Sequence, residues 1–102
     1  MSAEYKNTGI KQRVIDEIIM FARKYDVETV ILFGSRARGD CGERSDIDLA
    51  FSGGDNARFV LDVDEETYTL LKFDFVDLDA YVQPELKAAI EKDGVVLYEK
   101  MQ

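Results

Sequence analysis

Phe33-Gly34-Ser35-Arg36-Ala37-Arg38-Gly39, followed by Ser45-Asp46-Ile47-Asp48-Leu49, is the stretch that decides how the rest of the chain reads. It grows out of a β-branched run, Thr29-Val30-Ile31-Leu32-Phe33, which Gly34 stops and which reads as a buried strand. Ser35 to Arg38 reads as the first turn of a short helix ended by Gly39, and Asp40 to Ser45 as a polar loop. Asp46 to Phe51 alternates carboxylate and apolar side chains, the mark of a half-buried strand. Residues i and i+2 of a strand share a face about 6.6 Å apart, so Asp46 and Asp48 project together while Ile47 and Leu49 turn inward.

Two carboxylates on one face suit Mg2+, a hard cation that takes oxygen ligands and shares them with substrate phosphates. In two-metal phosphoryl and nucleotidyl transfer, ions about 3.5–4 Å apart activate the attacking oxygen and stabilise the leaving one. Asp46 and Asp48 are therefore expected to ligate two Mg2+ ions. A third carboxylate on the neighbouring strand would complete the set, and Asp74 in Lys72-Phe73-Asp74-Phe75 qualifies, since its phenylalanine flanks would be buried. Asp77 and Asp79 stand nearby, but Asp77 would point to the opposite face, which favours Asp74. On the phosphate side, a glycine lets the backbone approach closely and amides at a helix start point outward. Gly34, Ser35, Arg36, Arg44 and Ser45 form the expected nucleotide-binding set, with Arg38 a further cation in reach.

Outward from this centre, Ile10, Val14, Ile15, Ile18, Ile19, Ala22 and Tyr25 recur at helical spacing and predict one amphipathic helix from Gly9 to about Tyr25. The first eight residues form a polar lead-in. Ser52-Gly53-Gly54-Asp55-Asn56 is a break. Residues 57–70 suit a helix through Phe59, Val63 and Leu70, although Val60-Leu61 could also start a strand. Phe73 to Leu78 is a third strand. Pro84 opens a helix with Leu86, Ala89 and Ile90 as its buried stripe, Asp93-Gly94 ends it, and Val95 to Tyr98 is the last strand. The order predicts an α/β (α+β) domain, residues 1–102, with a mixed sheet of about four strands and helices on one face.

Composition narrows the chemistry. A chain of 102 residues is one domain, and 46% hydrophobic with 33% charged residues is ordinary for a soluble one. The chain holds no histidine, which excludes Ser-His-Asp and Cys-His catalysis and histidine-ligated zinc. With one cysteine, Cys41, it forms no internal disulfide. A net charge of −8 repels nucleic-acid backbones, so stable nucleic-acid binding by the chain alone is not expected. No apolar run reaches the length of a membrane span and no signal core opens the chain, so the expected location is the cytoplasm.

The two motifs, with Gly34-Ser35, a spacer of ten residues and Asp46-x-Asp48, resemble the signature of minimal nucleotidyltransferases of the DNA polymerase β superfamily. The resemblance runs from the first helix to the last strand. It implies a nucleotidyltransferase fold, a metal and catalytic triad of Asp46, Asp48 and Asp74, and ATP as the substrate from which AMP is transferred. It also implies a separately encoded helical protein, either a HEPN-type toxin or a substrate-binding subunit, whose hydroxyl accepts the nucleotide. The chain would then be the antitoxin of a toxin–antitoxin pair. A second copy of the chain is another candidate partner, because Val76 and Leu78 share the face of Asp74 and would form an apolar strip there. Two other readings remain at this stage: a non-catalytic antitoxin that neutralises its partner by covering it, and a transferase acting on a small molecule.

Overall fold

The computed structural model describes residues 8–101; Met1 to Asn7, most of the lead-in, and Gln102 lie outside the described residues. Eight elements follow one another: α1 Gln12–Lys24, β1 Thr29–Phe33, α2 Gly34–Arg38, β2 Ile47–Ser52, α3 Asn56–Glu66, β3 Phe73–Asp77, α4 Pro84–Asp93 and β4 Val95–Glu99. The four strands form one sheet in the order β3-β2-β1-β4. β1 runs antiparallel to β2 and to β4, whereas β2 and β3 are parallel, which requires the crossover that α3 provides.

The strand alternation divides the side chains between two faces. Val30 and Leu32 of β1 join Ile47, Leu49 and Phe51 of β2 in the main core, where Val14, Ile15, Ile18 and Ala22 of α1 and Phe59 and Val63 of α3 close over them. The segment after the Gly53-Gly54 break is thus helical, but only from Asn56 to Glu66; Leu70, expected on the helix's apolar face, lies beyond its end and is fully exposed. Asp55 accepts from the Arg58 amide at its start, and the Phe59 and Val63 pair, four residues apart, seats it beside α1. α1 begins at Gln12 rather than Gly9, because Gly9, at φ +72°, turns in the left-handed sense and interrupts the helical run.

The mixed sheet is as expected, but the helices do not all share one face. α1 and α3 do; α4 lies on the other side, where Ile90 packs with Phe33 and Ala50, and Ile31, Val76, Leu78 and Leu86 surround them. Two features mark how it sits there. Its apolar side chains reduce to Leu86 and Ile90, since Ala89 is exposed. Gly94 then brings the chain so close to β1 that a Cβ there would lie 2.6 Å from the Ile31 methyl. The strip of Val76 and Leu78 expected to lie open is therefore half-covered by the chain's own last helix. No helix among the described residues is long and apolar enough to cross a membrane.

Candidate active site

The face that carries α4 also carries the carboxylates. In the parallel ladder Asp48 sits opposite Asp74, and in the antiparallel one it sits opposite Phe33, the last residue of β1. Neighbouring strands are about 4.8 Å apart, so register alone makes Asp48 and Asp74 side-by-side neighbours on one face. Asp46 stands one residue before β2 and is exposed, as is Asp74, while Asp48 is half-buried between them. Burial is the first cause that pushes the Asp48 carboxyl above its ordinary value; the charges of Asp74 and then Asp46 add to it, against a smaller pull from Arg36 and Arg38. Asp48 thus feels the charge of both neighbouring aspartates.

Gly34 explains how the loop fits this cluster. Its φ of +75° lies in the left-handed region, and a Cβ on it would overlap the Asp48 carboxylate. The backbone turning from β1 into α2 therefore rests directly on that carboxylate, with Ser35 next in line. Among the described residues no three carboxylate or thiol groups converge closely enough to hold a cation unaided. The donor set still fits a hard divalent ion: all oxygen, mutually repelling, on one face, beside a backbone turn where phosphate oxygens could supply the remaining ligands.

The other expected residues fall differently. Asp77 accepts the amide of Asp79, and Asp79 accepts the amide of Gly53, so both belong to the turn after β3. Arg44 is exposed in the loop. The Ser45 hydroxyl accepts the Gly42 amide at 2.9 Å and shapes that loop. Arg36 departs most from expectation. Its side chain is 1% exposed, and its guanidinium donates from Nε and Nη2 to the Ser45 carbonyl, from Nη2 to Glu43 and from Nη1 to Thr8. Nη1 also contacts the Cys41 sulfur at 3.8 Å. A guanidinium has five N–H donors, and these partners occupy all of them. Arg36 braces the loop instead of reaching for phosphate. Sequence gave no sign of this, because carbonyl acceptors are not encoded by residue type. Arg38 is exposed and pairs with Asp40 at 3.2 Å.

A groove of about 620 Å³ lies elsewhere, between Gly9, Ile10 and Val14 on one side and Thr67 to Leu71 on the other; none of the aspartates lines it. A carboxylate cluster on an open face, without an enclosed cavity, suits an acceptor delivered by another molecule.

Comparison with known proteins agrees with this geometry. Residues 16–102 match the family model described as polymerase beta, nucleotidyltransferase. No curated protein matches the chain. Among solved structures, a toxin–antitoxin with AMP-PNP is 26% identical, with a TM-score of 0.67 over 86% of this chain and 75% of that one. A tri-AMPylated Shewanella oneidensis HEPN toxin in complex with MNT antitoxin is 21% identical, with a TM-score of 0.62 over 89% and 74%. The toxin–antitoxin MntA-HepT is 21% identical, with a TM-score of 0.59 over 88% and 74%. Strand order, paired aspartates and family match converge on one assignment: this chain belongs to the polymerase beta nucleotidyltransferase family and is a nucleotidyltransferase.

Proposed function

We propose that the chain transfers AMP from ATP onto a hydroxyl of a separately encoded helical protein, and that it serves as the antitoxin of a toxin–antitoxin pair in the cytoplasm. The observation that carries the reading is the register of Asp48 against Asp74, with the Asp48 carboxylate resting on the Gly34 turn. The likeness to a toxin–antitoxin with AMP-PNP and to an antitoxin bound to a tri-AMPylated toxin supports the choice of nucleotide and acceptor.

In this reading Asp46 and Asp48 hold two Mg2+ ions, with Asp74 completing the set. When bound, the metal neutralises phosphate charge and sharpens the attacking oxygen. Gly34 and Ser35 hold the triphosphate through close backbone approach and the Ser35 hydroxyl. Asp74, exposed on the edge strand, orients the incoming hydroxyl and takes its proton as oxygen bonds to the α-phosphorus. The bond to the bridging oxygen breaks and pyrophosphate leaves.

Incubating chain, partner and Mg-ATP, then weighing the partner, tests the proposal. The expected result is a mass gain of one AMP per modified hydroxyl, lost in Asp46→Asn and Asp48→Asn chains that still fold. Tight binding without mass gain would instead make the chain a covering antitoxin, and transfer to a small hydroxylated compound without any partner would make it a small-molecule enzyme.

A further inference from the structure

Arg36 is the largest fully buried side chain in the described protein, and it is a cation. A buried charge is costly unless its hydrogen bonds are met, so its partners show what it is there to hold. All of them are backbone carbonyls apart from the Cys41 sulfur, and they come from two separate segments, which Arg36 joins to a third. Thr8 precedes α1 by a few residues, Glu43 and Ser45 belong to the loop before β2, and Arg36 itself sits in α2 directly after Gly34 and Ser35. The Nη2 and Nε bonds to Ser45, at 2.8 and 3.0 Å, end on the peptide unit that leads into Asp46. Cys41 in the same loop donates its thiol to the Thr8 carbonyl at 3.5 Å, so the loop is tied to the start of the chain twice.

From this we infer that Arg36 is a positioning residue that sets the place of Asp46 by clamping the Ser45 carbonyl, using the Thr8 carbonyl as its anchor. Asp46 lies outside the strand ladder, unlike Asp48, and its backbone depends on the loop for its position. The clamp fixes the loop from one side while Gly34 and Ser35 fix the phosphate turn from the other, both from the same short helix. The structural part of the inference stands alone; its consequence for metal binding rests on the proposal that Asp46 is a metal ligand.

Cys41 gives a direct reporter, because it is the one thiol in the chain and is held inside the clamp. The test compares wild type, Arg36→Lys, Gly9→Ala and Asp46→Asn. Gly9→Ala retains the charge but places a Cβ 2.8 Å from the Arg36 Nη1, pushing the guanidinium off Thr8. Folding is confirmed by circular dichroism, thiol reactivity is followed with an aromatic disulfide reagent, and Mn2+ binding by electron paramagnetic resonance. Outer partners that orient metal ligands typically matter by about 10–100-fold, so Arg36→Lys is expected to weaken Mn2+ binding by that range and to speed Cys41 reaction about 10-fold. Gly9→Ala should move both readouts in the same direction, which keeps the test decisive if Arg36→Lys does not fold. Asp46→Asn should lose Mn2+ binding without unmasking Cys41. Folded clamp variants with unchanged thiol reactivity would overturn the clamp. So would a raised KM for ATP with unchanged Mn2+ affinity, which would make Arg36 a phosphate ligand. Wild type that binds no Mn2+ while the thiol readout behaves as expected would overturn the metal reading of Asp46 and leave the clamp standing.

Discussion

At the scale of single residues, Asp48 and Gly34 compete for one small volume and define what can change there. Gly34→Ala is expected to destabilise the fold by more than about 1 kcal/mol, because alanine is strained at positive φ, and the new methyl would also collide with the Asp48 carboxylate. Urea titration would measure the loss, and transfer activity should fall with it. Asp48 itself is held against its preference: burial, then Asp74 and Asp46, raise its carboxyl above the ordinary value. The folded chain therefore binds that proton more tightly than the unfolded one. The resulting advantage is full below the unfolded value and is lost as pH rises through the folded value. Without metal, Asp48→Asn should melt a few degrees higher than wild type at neutral pH, with the gap closing on acidification. Calorimetry across that range checks the sign; a variant that melts lower at neutral pH would contradict it. Under the proposed function, stability without metal and transfer activity would pull in opposite directions at this residue.

At the scale of elements, α4 is the least insulated part of the fold, since it docks on the carboxylate face through Leu86 and Ile90 alone. Ile90, 3% exposed, should cost about 2–5 kcal/mol when truncated to alanine. Because Ile90 packs on Phe33, whose neighbour across the ladder is Asp48, transfer activity should drop more steeply than the folded fraction measured by circular dichroism. The strands were legible in the sequence to within a residue, because β-branched runs, alternation and the glycine stops all agree. α3 read as a helix, although Val60 and Leu61 could also have started a strand, and docking against α1 settles it. The face taken by α4 could not be read, because two apolar residues four apart fit either side of a sheet. Of the candidate site, the shared face of Asp48 and Asp74 was readable from strand parity, whereas Asp46 lies one residue before β2. Arg36 was not readable, since a guanidinium near a phosphate motif looks the same in sequence whether it binds a ligand or a carbonyl.

For the whole molecule, a net charge of −8 shapes both partners and solvent. The chain should show no retention on DNA or RNA at physiological salt, because an acidic surface meets the phosphate backbone with repulsion; a mobility-shift titration checks this. Mg2+ should stabilise wild type but not Asp48→Asn against unfolding, by about 2.7 kcal/mol at a hundredfold excess over its dissociation constant, and so raise the melting temperature of wild type alone. Equal stabilisation of both chains would mean that general charge screening, not the aspartate cluster, is responsible. None of the three aspartates lines the groove between Gly9 and Leu71.

The parallel pairing of β2 with β3 has one more consequence. Phe73 and Phe75 stack on each other at 5.7 Å between ring centroids, and Phe75 also meets Phe51 edge-on at 6.4 Å. Slipping β3 by one residue would carry both rings out of the core and turn Asp74 to the wrong side of the sheet. The aromatic rings therefore act as a vernier: a mis-set strand exposes two phenylalanines before it can present a misplaced aspartate. The placement of Asp74 beside Asp48 is thus enforced from behind the sheet, by side chains on its other face.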